Sequence, residues 1–212
     1  MRAKGLSEKC SWALLVLGLI STCVDGQADP VKVTVFVETL CPDSMAFVSK
    51  QLGPTWESLR EIMVVDFNAY GFVEETPVGE GYDFSCQHGA EECQGNMVVE
   101  CARRYIDNSD TFVDFSVCLM SSSFPPGEGE NCAATVGAAW SPIDACANSV
   151  EGQQLLHDSG VRQNSLDPVP DYIPWIIIND VFTQEHLDEA QTDLTGLVCR
   201  TYEGTPPPVC QL

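Results

Sequence analysis

The stretch Val33-Thr34-Val35-Phe36-Val37-Glu38-Thr39-Leu40-Cys41-Pro42-Asp43-Ser44 decides how this chain is read. Val31, Val33, Val35 and Val37 alternate with Lys32, Thr34 and Phe36, and a β-branched run of this kind predicts a strand, placed centrally in its sheet. After Cys41, the residues Met45, Val48, Leu52, Trp56 and Leu59 recur at three- and four-residue steps, the spacing of one buried helix face. Cys41 therefore stands where a strand hands over to a helix. Unpaired backbone N–H groups and the helix dipole favour a thiolate there, and the thiolate is the attacking species in disulfide exchange. Ser44, one turn on, is placed to donate a hydrogen bond to the sulfur, while the charge of Asp43 opposes a thiolate. The bland alternative is a small buried apolar residue, the common state of a free cysteine. The strand-to-helix position, the following proline and an odd cysteine count favour the nucleophile.

Working outward, Pro54 should kink or break the helix, because it removes a backbone donor and crowds the preceding turn. Ile62 to Phe67 is a second strand, and residues 71–83, with Gly71, Pro77, Gly79 and Gly81, read as a loop. From about residue 84 to 170 the pattern is mainly helical and rich in cysteine. Tyr172-Ile173-Pro174-Trp175-Ile176-Ile177-Ile178 returns to strand and turns at Asn179-Asp180. Leu187, Ala190, Leu194, Leu197 and Val198 mark a last helix, ended by Gly204 and Pro206 to Pro208. Strand, helix, strand, long insertion, strand and helix make an α/β, thioredoxin-like fold with a disulfide-rich helical insertion. In such folds a cis-proline before a late strand packs beside the reactive cysteine and bares backbone for substrate pairing. Pro174 holds that place, and the alternative is an ordinary trans proline at a strand start.

The first residues place Arg2, Lys4 and Lys9 before an apolar run from Trp12 to Ile20, then small and polar residues to Gly26. That is the order of a secretory signal peptide over residues 1–26, too short in its apolar core to span a membrane. Residues 27–212 suffice for one domain with a sizeable core and an insertion, and no later segment is apolar enough to be a transmembrane span. The formal charge of −21, from 31 acidic and 10 basic residues, argues against nucleic acid as a partner, since phosphate neutralisation needs clustered Lys and Arg. The acidity reads as a solvated surface or as tuning to an acidic compartment, where carboxylates with pKa about 4 take up protons. Composition does not choose between them.

Of the 11 cysteines, Cys10 and Cys23 would leave with the signal peptide. Cys41, Cys86, Cys93, Cys101, Cys118, Cys132, Cys146, Cys199 and Cys210 remain. In an oxidising compartment an odd number leaves one thiol over, and Cys41 is the one that stands apart from the others. The other eight allow about a hundred pairings, which sequence does not rank.

Residues 86–101 contain one histidine among three cysteines. Uneven intervals and the oxidising context speak for a bridged scaffold rather than a zinc site, so no metal is expected. Gln87, His88 and Glu91 would make local polar contacts. His157 and His186 lie in helical patterns and read as surface residues. There is no G-x-S-x-G elbow for a hydrolase and no phosphate-cradling glycine loop.

Cys86-Gln87-His88-Gly89-Ala90-Glu91-Glu92-Cys93-Gln94-Gly95-Asn96, closed by Cys101, spells C-Q-H-G-x2-E-C-x2-N-x4-C without a mismatch. With the Cys41 segment, Tyr172-Ile173-Pro174-Trp175 and Leu197-Val198-Cys199, it resembles the gamma-interferon-inducible lysosomal thiol reductase family across nearly the whole chain after the signal peptide. The motif residues Gln87, His88, Gly89, Glu92 and Asn96 carry the resemblance. It implies reduction of protein disulfides at acidic pH in the endocytic pathway, in the service of antigen processing or innate defence. It also implies a C-x-x-C pair, whose first cysteine attacks and whose second resolves the mixed disulfide. Cys41 matches the first, and Ser44 stands where the second would be. A serine cannot form that disulfide, so release would fall to an external low-molecular-weight thiol such as glutathione or cysteine, with no bound cofactor. The alternative is a non-enzymatic secreted binding or immune-modulating protein on the same scaffold. No asparagine is followed two residues on by Ser or Thr, so glycan-dependent delivery lacks its acceptor. Secretion and an endosomal or lysosomal lumen both stand open, as does oligomeric state.

Overall fold

In the computed structural model, which describes residues 28–211, β1 (Val31–Val37) is the middle strand of a three-stranded sheet ordered β2-β1-β5. The expected signal peptide, residues 1–26, lies outside the described residues. β2 (Met63–Ala69) runs parallel to β1, with Val31 opposite Met63 and Val37 opposite Ala69. β5 (Trp175–Ile178) runs antiparallel along the other side and sets Phe36 opposite Trp175. Both faces of β1 are covered: Val31, Val33, Val35, Phe36 and Val37 are all buried. A strand covered twice reads as a near-continuous apolar run, which is how residues 31–37 read.

From β1 the chain passes through Glu38-Thr39-Leu40-Cys41 into α1 (Pro42–Phe47), then a wider π turn (Val48–Leu52) and α2 (Gly53–Leu59). The kink or break expected at Pro54 takes the form of the π turn that interrupts the α-helix just before it, and the backbone stays helical through the interruption. Proline lacks a donor and its ring strikes the carbonyl four residues back in an α-turn. Here Pro54 falls in the first turn of α2, directly after the π turn, whose wider ring makes room for it. Phe47, Val48, Leu52, Trp56 and Leu59 all enter the core from this run.

The loop expected over 71–83 is instead a hairpin of β3 (Val73–Val78) and β4 (Gly81–Cys86). Gly79, at φ 62°, takes the first position of the two-residue turn, where a left-handed residue is needed. Pro77 hides the strand in the sequence. A two-stranded ribbon always has an outer edge, and there a proline's missing donor costs little. The hairpin docks on a helix of the insertion: Tyr82 stacks on His157 with ring centroids 4.1 Å apart, and Tyr82 N donates to Gln153 Oε1 at 3.1 Å.

The insertion continues as α3 (Ala90–Tyr105), α4 (Ser109–Met120), α5 (Gly129–Val136), α6 (Trp140–Ala147) and α7 (Val150–Asn164). Disulfides cross-link it locally. Cys86–Cys93 ties β4 to the first turn of α3, Cys101–Cys146 joins α3 to α6, and Cys118–Cys132 joins α4 to α5. Cys199–Cys210 closes the C-terminal turn onto α8 (Gln184–Thr201).

A charged seam fastens the insertion to the sheet. Asp66 on β2 accepts hydrogen bonds from Arg103 of α3 at 3.2 Å and from Arg162 of α7. Buried Glu100 accepts from Ala69 N at 2.7 Å, from Arg103 Nε at 3.2 Å and from Ser159 Oγ at 3.3 Å. The two arginines hold the Asp66 carboxyl down at about 2 against its desolvation, whereas burial pushes the Glu100 carboxyl up.

Candidate active site

Cys41 is the N-cap of α1 and the one free cysteine among the described residues. Its Sγ lies 3.7 Å from the carbonyl oxygen of Ile173, and the Ile173–Pro174 peptide is cis. Sheet topology makes this meeting inevitable: β1 ends at Val37, and β5, which pairs with it, begins one residue after Pro174. The Cys41 residue is buried, with 8% of its surface exposed.

Ser44 makes no hydrogen bond to the sulfur. It is fully buried, and its Oγ accepts from Glu38 N at 3.3 Å. The hydrogen bond to Cys41 expected from its spacing is replaced by one to backbone, because the turn folds Glu38 over the helix start: Cys41 N donates to Glu38 O at 3.2 Å. Asp43 is likewise engaged, accepting from Tyr172 Oη at 3.0 Å, and Gln191 Oε1 lies 3.0 Å from the same hydroxyl. Burial, Asp43 and Cys41 together push the Tyr172 phenol up to about 12.

The motif around His88 grips the turn that presents Cys41. Asn96 Oδ1 accepts from Thr39 N at 3.0 Å and from Thr39 Oγ1 at 2.9 Å, while its Nδ2 donates to Tyr70 O at 3.1 Å. Glu92 accepts from Leu40 N at 3.2 Å and from His88 N at 3.0 Å. The His88 ring meets Glu92 Oε2 through Nδ1 at 2.6 Å. Gly89 caps α3 at φ 96°, ψ −178°, a backbone state that glycine alone adopts readily. A Cβ on Gly95 would lie 2.4 Å from Thr39 Oγ1, so α3 packs on the turn only because that side chain is absent. Gln87 and Glu91 are exposed. The polar contacts expected of His88 are thus made with Glu92 and not with its immediate neighbours, because the helical register turns Glu92 inward.

Two residues of this site escape a sequence reading. Glu38 and Thr39 are fully buried, and Glu38 Oε1 accepts from Phe72 N at 2.6 Å. Burial and the nearby Glu92 carboxylate push the Glu38 carboxyl up. The signal available in the sequence is a lone acid directly after an apolar strand. The motif cysteines are spent on disulfides, so they offer no thiolate to a metal. His157, expected on the surface, is half covered between Tyr82 and Glu75, with Nδ1 2.7 Å from Glu75 Oε1. His186 is also partly buried.

An unbridged cysteine capping a helix, facing the peptide before a cis-proline on a thioredoxin-like sheet, defines the class: thiol–disulfide oxidoreductases. The fold agrees with that of oxidised BdbD from Bacillus subtilis, with a TM-score of 0.57 at 15% identity over 85% of this chain and 98% of that one. Chlamydia trachomatis DsbA gives 0.52 at 12% identity, over 80% and 87%. Residues 32–136 match the family described as Gamma interferon inducible lysosomal thiol reductase (GILT). The Gamma-interferon-inducible lysosomal thiol reductase of Carassius auratus is 33% identical over 195 residues, covering 91% of this chain and 77% of that protein. GILT-like protein 1 of Drosophila melanogaster is 32% identical over 212 residues, covering 93% and 84%. The chain belongs to the gamma-interferon-inducible lysosomal thiol reductase family.

Proposed function

We propose that the protein reduces or isomerises protein disulfides with Cys41 as its single nucleophile. What carries the proposal is the placement of Cys41: unbridged, at a helix start, with Ile173 O 3.7 Å from its sulfur and Ser44 in the resolving position. The Cys41 thiolate attacks one sulfur of a substrate disulfide, forming a Cys41–substrate mixed disulfide and releasing the other substrate sulfur as a thiolate, which takes a proton. An external low-molecular-weight thiolate then attacks Cys41 Sγ, freeing the second substrate thiol. A further thiol regenerates Cys41 and leaves as a small-molecule disulfide, so two thiols are oxidised for each disulfide reduced. In isomerisation a different thiol of the same substrate attacks the substrate sulfur of the mixed disulfide, forming a new substrate disulfide and releasing the Cys41 thiolate. Pro174 shapes the wall beside the sulfur, and no bound cofactor takes part.

The predicted signal peptide, the four disulfides and the descriptions of the relatives support an endolysosomal or secreted setting and a role in host defence. No helix among the described residues is long and apolar enough to cross a membrane. A second reading, a binding protein that has kept only the scaffold, is favoured by the slight exposure of Cys41 and by the buried Ser44.

Insulin-disulfide reduction with added free cysteine, between acidic and neutral pH, separates the two readings. Turnover by the parent chain that is lost in Cys41→Ser, and a substantial gain in Ser44→Cys, are the expected results. Equal rates for the parent and Cys41→Ser would overturn the enzymatic reading in favour of the scaffold.

A further inference from the structure

We propose that Glu38, His88 and Glu92 form a binding site for a divalent transition-metal cation of the zinc class, beneath the turn that carries Cys41. One ligand atom from each lies within 4.8 Å of the other two. His88 Nδ1 is 2.6 Å from Glu92 Oε2 and 3.4 Å from Glu38 Oε2. Both carboxylates are fully buried beside this one imidazole, a setting in which ionised carboxylates need a positive partner.

The second observation is an orphaned oxygen. Glu38 Oε1 is satisfied by Phe72 N, but Glu38 Oε2 is buried, makes no hydrogen bond and points into the cluster at His88. Buried polar atoms ordinarily have a partner. A cation between the three atoms would supply it.

The donor chemistry selects the cation. An imidazole nitrogen with two carboxylate oxygens suits zinc and its neighbours, whereas calcium and magnesium ask for six or more oxygens. Bonds of about 2.0–2.1 Å set tetrahedral ligands about 3.3 Å apart. The 3.4 Å pair already meets that separation, and the 2.6 Å pair needs to open by less than an ångström. The carboxylate of Glu92 is oriented by two backbone donors, His88 N on Oε1 and Leu40 N on the ligand oxygen Oε2 itself, the kind of outer support that orients metal ligands. The His88 side chain is 31% exposed and gives an entry path and a place for a water in the fourth position. The disulfide-bonded cysteines of the motif take no part, and the assignment is independent of whether Cys41 performs chemistry.

The test uses the untagged chain without its signal peptide, carrying Cys41→Ser so that no thiol can ligate. The chelator-stripped protein is titrated with Zn2+ by calorimetry at neutral pH in excess Mg2+, which occupies the surface carboxylates. The expected result is one equivalent bound, with Co2+ giving visible bands of a four- or five-coordinate ion. Glu38→Gln, which keeps the acceptor for Phe72 N, and His88→Asn should each lower affinity by roughly tenfold or more. His88 is exposed enough that His88→Asn keeps the test valid should Glu38→Gln fail to fold. No stoichiometric Zn2+ binding by the Cys41→Ser chain, or unchanged affinity in the folded variants, would overturn the assignment.

Discussion

Cys41 and Ser44, one helical turn apart, answer to different partners: the thiol faces Ile173 O at 3.7 Å, while the serine hydroxyl accepts from Glu38 N at 3.3 Å. The serine is therefore a fastening of the turn and not an adjunct of the sulfur. This separates two roles that the spacing alone would merge, and it makes the substituted position open to experiment.

Ser44→Ala should lower stability without altering the thiol. It leaves the buried Glu38 N without its acceptor, a loss of about 1–3 kcal/mol. Urea denaturation measures the loss, and the rate of Cys41 alkylation in the folded protein should barely move. A large drop in alkylation at unchanged stability would assign the hydroxyl to the sulfur instead.

The contact of α3 with the turn rests on Asn96 and on the bare face of Gly95. Asn96→Ala orphans Thr39 N and Tyr70 O, both met by this one side chain, and should cost about 2–4 kcal/mol. Gly95→Ala forces a methyl to within 2.4 Å of Thr39 Oγ1 and should cost about 1–3 kcal/mol. Because the clash is with Thr39, the double variant Gly95→Ala, Thr39→Ala should lose less than the sum of its parts. Strict additivity in denaturant unfolding would show that α3 does not press on this turn.

How much of this could be read from residues alone follows from the range of each interaction. β1, the helix start at Cys41 and the last strand after Pro174 are legible because periodicity and a proline are local signals. The thiol left over by an odd cysteine count is equally plain. The hairpin is obscured by Pro77 and by Gly79 and Gly81, which mark breaks in most settings but suit an isolated ribbon. The grip of the motif on the turn is invisible for a different reason. Asn96 meets Thr39 across 57 residues of chain, and Glu92 meets Leu40 across 52. No spacing rule reaches that far, so Glu38 and Thr39 carry no mark of their role until the fold assembles them.

Asp66 provides a pH test of the seam between sheet and insertion. Its carboxyl is lowered from 3.8 to about 2, chiefly by Arg162 and Arg103 working against desolvation. A depressed carboxyl adds stability above its unfolded value and loses it only as pH falls through the folded value. The contribution, about 2 kcal/mol, is thus intact near pH 5 and fades between about 4 and 2. Glu100 works in the opposite sense. Burial raises it, so its folded form holds a proton more tightly and acidification from neutrality favours the fold. Asp66→Asn should therefore destabilise equally at pH 7 and pH 5, with the difference from the parent closing only below about pH 4. A difference that had already closed at pH 5 would mean that the two arginines do not hold this carboxyl.

The disulfides should differ in what they contribute, in an order set by loop length and burial. Cys101–Cys146 closes 45 residues and is buried between α3 and α6, whereas Cys199–Cys210 closes 11 at the partly exposed C-terminal turn. Chain entropy alone assigns about 4 kcal/mol to the first and about 3 kcal/mol to the second. Removing the buried bridge also opens a void between two helices, which adds to its cost. The paired alanine variant at Cys101 and Cys146 should thus unfold at a markedly lower denaturant midpoint than the pair at Cys199 and Cys210. Under mild reductant the native protein should give up Cys199–Cys210 first, as read by mass spectrometry after alkylation. If the 101–146 bridge opened first, the α3–α6 interface would be more accessible than its burial indicates, and the insertion would owe its order to the remaining cross-links and the Asp66 seam.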